Sequence, residues 1–60
     1  MNNKGINENA KFYIYEIKEN NYTFSEFYSL IFFGGHFSKE DRSKIVAKVV
    51  KAFPKEWSRG

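Results

Sequence analysis

The chain has 60 residues, a net charge of +3, one histidine and no cysteine. A chain of this length forms one small domain with a core of marginal size, and the lack of cysteine excludes disulfides and thiolate zinc sites. Aromatic residues make up 20% of the chain, so apolar packing has to hold the domain together.

The first residues are polar and rich in asparagine. This composition predicts a flexible tail over 1–7, followed by a single small domain over 8–60. The tail lacks the apolar region of a signal peptide, and no apolar run approaches about 18 residues. We therefore expect a cytoplasmic protein that does not enter a membrane.

The segment after this tail has the apolar spacing of a helix. Its apolar residues recur at intervals of three and four, which predicts a helix over about 8–19. The residues that define this pattern are Ile6, Ala10, Tyr13, Ile14 and Ile17. Asn20 and Asn21 would then separate this helix from the next one.

A strand is the alternative for the same segment. Residues 12–17, FYIYEI, are mostly β-branched or aromatic, a composition that favours a strand. The later spacing of Ser43, Ile45, Val49 and Phe53 resembles the second helix of the ribbon-helix-helix repressors, in which strands pair between two copies. The alternative is therefore an α+β fold with a strand or hairpin at 11–24, two helices and a homodimer.

The middle of the chain predicts a second helix over about 23–33. Thr23 and Glu26 have the spacing of a capping box. Gly34-Gly35 is typical of a helix that ends in a residue with a left-handed backbone conformation. Seven of the ten residues in 24–33 are apolar. A helix of this composition forms either the buried centre of a fold or one half of an interface.

The C-terminal third predicts a third helix over about 39–53. Ser38 and Asp41 form a looser capping box, and Pro54 marks the other end. One face of this helix collects Val46, Val49, Val50, Phe53 and Trp57, with Ile45 near its margin. The favoured fold class is accordingly all-α, with three helices.

The residues that could carry catalysis are few. His36 has no cysteine nucleophile to assist, and no serine lies in a nucleophile elbow. The predicted cap at Ser38 separates His36 from Glu40, which removes the helical spacing of a metal pair. Gly34-Gly35 lacks the rest of a phosphate-binding loop. We expect no catalytic residue, no metal and no cofactor.

A basic surface is the strongest functional feature of the sequence. Residues 38–60 carry seven Lys or Arg against three acids, whereas residues 1–37 carry three lysines against four glutamates. The lysines of this segment recur at helical spacing. If the helix continues past Pro54, they lie on a face roughly opposite the apolar face and extend along about 16 Å of the helix. They suit the phosphates of a nucleic acid or an acidic protein surface, although a solvated face is also common. The residues are Lys44, Lys48, Lys51 and Lys55, flanked in sequence by Arg42, which points toward the apolar side, and by Arg59.

Aromatic residues supply a second feature, because a monomer of this size cannot bury all of them. Phe32, Phe33 and Phe37 crowd one turn, and Trp57 lies near the C-terminus. An exposed group of aromatic residues is typical of a protein interface or of self-association.

These features predict a small, non-enzymatic binding protein. The favoured function is a nucleic-acid-associated regulator that uses its basic C-terminal helix. The alternative is a protein-binding inhibitor or accessory factor, of the kind phages and mobile elements encode, which blocks a larger machine that processes nucleic acid.

Overall fold

The computed structural model describes residues 1–53 and Lys55, and it contains three helices in this part of the chain. They are α1 (Asn3–Asn20), α2 (Phe24–Gly34) and α3 (Lys39–Lys51). The three-helix, all-α prediction is confirmed. No strand occurs among the described residues, so the strand or hairpin at 11–24 and the ribbon-type fold are not supported. The segment is a helix because the helical period places Ile6, Ala10, Tyr13 and Ile17 on one buried face. The two-residue period of a strand would place them on both faces.

Helix α1 begins five residues earlier than predicted. The side chain of Asn2 caps it by accepting a hydrogen bond from the Gly5 N–H at 2.9 Å. Ile6, in the next turn, is only 1% exposed. Residues 3–7, predicted as a flexible tail, are therefore helical, because the apolar face of α1 extends to Ile6. The helix ends at Asn21, whose left-handed backbone (φ 56°) is one that asparagine tolerates.

Helix α2 starts with the predicted capping box. The Thr23 N–H donates to Glu26 Oε1 at 2.8 Å, and the Glu26 N–H donates to Thr23 Oγ1 at 3.2 Å. At the other end Gly35 is extended (φ −97°), so the prediction of a left-handed C-terminus is wrong. A glycine at position 35 instead leaves room for the ring of Phe37 and for the backbone of α2. A Cβ there would lie 2.7 Å from Cδ2 of Phe37 and 3.0 Å from the carbonyl oxygen of Ile31.

Helix α3 begins as predicted and ends earlier. The Asp41 N–H donates to Ser38 Oγ at 3.2 Å, and the helix stops at Lys51 rather than at residue 53. Ile45 and Val49 are fully buried, so Ile45 lies at the centre of the apolar face and not at its margin. The predicted face was displaced because it included positions beyond the end of the helix. Trp57 and Arg59 lie outside the described residues.

The core is built from all three helices. Arg42, near the start of α3, lies against Phe32, near the end of α2. The N-terminal ammonium is 3.4 Å from Asp41 Oδ2, which brings the starts of α1 and α3 together. None of the described helices has the length and apolar character needed to cross a membrane. The buried side chains are Ile6, Ala10, Tyr13, Ile17, Phe27, Ile31, Ile45 and Val49.

Candidate binding surfaces

The first candidate surface is a row of lysines on α3, here called the lysine ridge: Lys44, Lys48 and Lys51. All three are exposed, and none makes a hydrogen bond or ion pair with a described residue. Their spacing keeps them within about 60° around the helix and along about 10 Å of its axis. Lys55 is also exposed, but α3 ends at Lys51, so helical spacing does not align it with the ridge.

Arg42 does not belong to the lysine ridge. It is partly buried and lies roughly 150° around α3 from the centre of the ridge. Its guanidinium carbon lies 4.7 Å from the centroid of the Phe32 ring, a cation–π contact that joins α3 to α2. Arg42 and the lysine ridge are therefore close in sequence but lie on different sides of α3. Arg59, the last predicted basic residue, lies beyond the described part of the chain.

The second candidate surface is an aromatic stripe on α2, formed by Tyr28, Phe32 and Phe33. The ring centroids of Tyr28 and Phe32 are 6.2 Å apart, and those of Phe32 and Phe33 are 5.2 Å apart. Phe33 is 80% exposed, Phe32 46% and Tyr28 41%. Phe32 and Phe33 were predicted as interface residues and Tyr28 was not, although its spacing of four from both Phe24 and Phe32 would have indicated it.

A shallow groove lies between Tyr28 of this aromatic stripe and α3. It encloses about 260 Å³. Tyr28 forms the α2 side, and the α3 side carries two cationic residues and no carboxylate. Lys39, which is exposed at the first position of α3, was not among the predicted binding residues. The lining residues are Tyr28, Lys39, Arg42, Ser43, Val46 and Ala47.

The other predicted interface residues lie elsewhere. Phe37 is partly buried and packs against the core, with its ring centroid 6.5 Å from that of Tyr13. Burial raises the pKa of Tyr13 above its ordinary value of 10.0. Trp57 is not among the described residues. The aromatic stripe therefore retains two of the four predicted side chains, Phe32 and Phe33.

His36 is exposed in the loop between α2 and α3. Within residues 1–53 and Lys55, no three histidine, aspartate or glutamate side chains lie close enough together to hold a metal ion. No family model, curated protein or solved structure matches the chain. Its function therefore has to be inferred from the surfaces described above.

Proposed function

We propose that this protein is a non-enzymatic, nucleic-acid-associated binding protein that uses the lysine ridge to contact phosphates. The observation that carries the proposal is the row of three exposed ammonium groups that have no carboxylate partner among the described residues. Each strand of duplex DNA carries a phosphate about every 3.4 Å of the helix axis, so a row of about 10 Å can reach more than one phosphate. Lysines in this arrangement release counterions on binding, and the affinity should fall steeply with salt.

The composition of α3 supports contact with the backbone rather than reading of bases. The helix has no asparagine or glutamine, and its only arginine, Arg42, lies on the other side. Those are the side chains that make paired hydrogen bonds to base edges. Lysine is a point charge that suits phosphate and carries little information about sequence. We therefore expect weak discrimination between DNA sequences.

The acidic residues of α3 lie at the N-terminal end of the ridge, and Glu40 is on the ridge face, four residues before Lys44. The carboxylate of Asp41 forms an ion pair with the N-terminal ammonium, which offsets part of the negative charge of Asp41. Glu40 and Asp41 both lie in the first turn, whereas the ridge begins at Lys44 and continues to the end of the helix. Phosphates would therefore meet the C-terminal half of α3.

A titration of labelled DNA tests this proposal. Duplex and single-stranded oligonucleotides of mixed sequence are titrated at two salt concentrations, and we expect binding that weakens steeply at the higher salt. The double change Lys48→Glu/Lys51→Glu should abolish the binding. Lys48→Gln/Lys51→Gln, which adds no acid to the C-terminal end of α3, should weaken it with less risk to the fold.

The matched control is Lys39→Glu/Arg42→Glu, which changes the net charge by the same amount on another side of α3. It should retain most of the affinity, and circular dichroism would check the fold of each variant. An equal loss in both Glu variants would mean that net charge alone drives binding. A lack of binding at low salt would also contradict the proposal.

A protein-binding role, as an inhibitor or accessory factor, is the second candidate function. The observation that favours it is the exposed aromatic stripe of α2, which the lysine ridge does not explain. Exposed aromatic clusters of this kind are more typical of protein interfaces than of phosphate contacts.

A further inference from the structure

We propose that the aromatic stripe, together with the groove beside it, is a docking site for an acidic amphipathic helix of a partner protein. This surface is separate from the lysine ridge, and the inference does not depend on nucleic-acid binding. It rests on the spacing of the exposed rings, on the two cations of the groove and on the position of Arg42.

The ring spacing matches the repeat of a helix. Phe24, Tyr28 and Phe32 follow each other along α2 with centroid separations of 6.0 and 6.2 Å. A partner helix repeats its apolar face about every 5.4 Å, so its side chains would fit between successive rings. Helices that bind in grooves present such a face. Phe33, the most exposed of the rings, extends the surface at the end of α2.

The charge of the groove selects an acidic partner. Lys39 and Arg42 line its α3 side, and neither makes a hydrogen bond or an ion pair with a described residue. Glu26, the acidic residue of α2, has its carboxylate bound by the Thr23 N–H at the start of that helix. Residues 1–53 and Lys55 therefore supply no anion to the cations of the groove, and the guanidinium of Arg42 is suited to bind a carboxylate through two hydrogen bonds.

Unpaired nucleic-acid bases fit this surface less well. A base stacks on an aromatic ring that presents a free face. The guanidinium of Arg42 covers one face of Phe32, and Tyr28 and Phe33 pack on the same ring as neighbours. A base that stacked on Phe32 would have to compete with these groups, whereas a carboxylate would meet the guanidinium where it already lies.

A second copy of the chain is also a poorer occupant. In a two-fold dimer the same surface is used by both copies, so each residue near the axis meets its own equivalent. Antiparallel pairing of the two aromatic stripes would bring the Arg42 and Lys39 edges of both copies close together. The groove lining contains no carboxylate to offset that repulsion.

Binding of designed peptides tests the proposal. Three labelled synthetic peptides are compared by fluorescence anisotropy: a helix-forming peptide with leucines on one face and glutamates elsewhere, the same peptide with lysines in place of glutamates, and a scrambled version of the first. We expect the acidic amphipathic peptide to bind more tightly than either of the others. Phe33→Ala should weaken this binding about tenfold, as loss of an interface anchor does, and Arg42→Gln should weaken it as well.

Tyr15→Ala is the matched control, because Tyr15 is an exposed aromatic residue on α1 and outside the aromatic stripe. It should leave peptide binding unchanged. The proposal is overturned if no peptide binds, if the lysine peptide binds as well as the acidic one, or if Tyr15→Ala and Phe33→Ala weaken binding equally. Phe33 is so exposed that its loss should not prevent folding.

Two further outcomes would assign the surface to another occupant and so overturn the proposal. One is an oligothymidine that binds the wild type and loses its affinity in Phe33→Ala. The other is sedimentation of the wild type as a dimer that Phe33→Ala converts to a monomer. A monomeric wild type, with oligothymidine binding that Phe33→Ala does not change, supports the proposal.

Discussion

Gly34 and Gly35 are neighbours with different roles. A Cβ at Gly35 would overlap the ring of Phe37, which packs against Tyr13 in the core. A Cβ at Gly34 has only one neighbour, Leu30 Cδ1 at 4.0 Å. We expect Gly35→Ala to lower the free energy of unfolding by about 1–3 kcal/mol, because the ring of Phe37 must move. Urea denaturation followed by circular dichroism would measure the change.

Gly34→Ala is the control for this prediction. Gly34 is the last residue of α2, and alanine has a higher helix propensity than glycine. We expect this change to raise the free energy of unfolding by about 0.5 kcal/mol. Equal effects of the two substitutions would show that Gly35 is not required for the close approach of Phe37.

At the scale of elements, the start of α1 is the feature that differs most from the sequence analysis. Ile6 is buried in the core although it lies in a segment of asparagines and a glycine. We expect Ile6→Ala to lower the free energy of unfolding by about 2–4 kcal/mol, because it removes buried methyl groups and leaves a cavity. Thermal or urea denaturation would measure this loss.

Asn7→Ala provides the comparison, since Asn7 is the exposed neighbour of Ile6 on α1. We expect its effect to stay within about 0.5 kcal/mol. If Ile6→Ala were equally harmless, residues 3–7 would not contribute to the core and the described start of α1 would be wrong.

The helix boundaries were predictable where a cap fixes them locally. Thr23 with Glu26 and Ser38 with Asp41 bond within a single turn, so their sequence spacing was enough to place the starts of α2 and α3. The start of α1 was missed because the composition of the segment suggested a tail. The apolar pattern itself already included Ile6, and that pattern was the better guide.

The candidate surfaces were predictable only in part. Helical spacing identified Lys44, Lys48 and Lys51 as one group and indicated that Arg42 points elsewhere. The groove depends on how α2 crosses α3, which is a contact between distant parts of the chain. No local pattern could therefore show that Arg42 lies on Phe32 or that Tyr28 faces Lys39 across the groove.

At the scale of the whole molecule, α3 carries two different surfaces. The lysine ridge and the groove lie on separate sides of this helix, roughly 150° apart at Arg42. We therefore expect DNA and the acidic peptide to bind the protein together rather than to compete. Titration of the labelled peptide with and without saturating duplex DNA would measure this, and a change in peptide affinity of less than about threefold is the expected result.

Complete displacement of the peptide by DNA would contradict the separation of the two surfaces. Lys48→Gln/Lys51→Gln provides the control, because it should weaken DNA binding and leave the affinity for the peptide unchanged. A variant that lost both affinities would indicate a single anion-binding surface.

Helix α2 is anchored in the core by fewer side chains than α1. It buries Phe27 and Ile31, whereas α1 buries four residues along its length. Local opening of a protein starts where buried apolar contacts are few, so α2, the shortest of the three described helices, should detach transiently before α1 does. A partner helix seated on the aromatic stripe would bind only the closed form. By mass action, docking would then lower the population of the open form, in which α2 is detached.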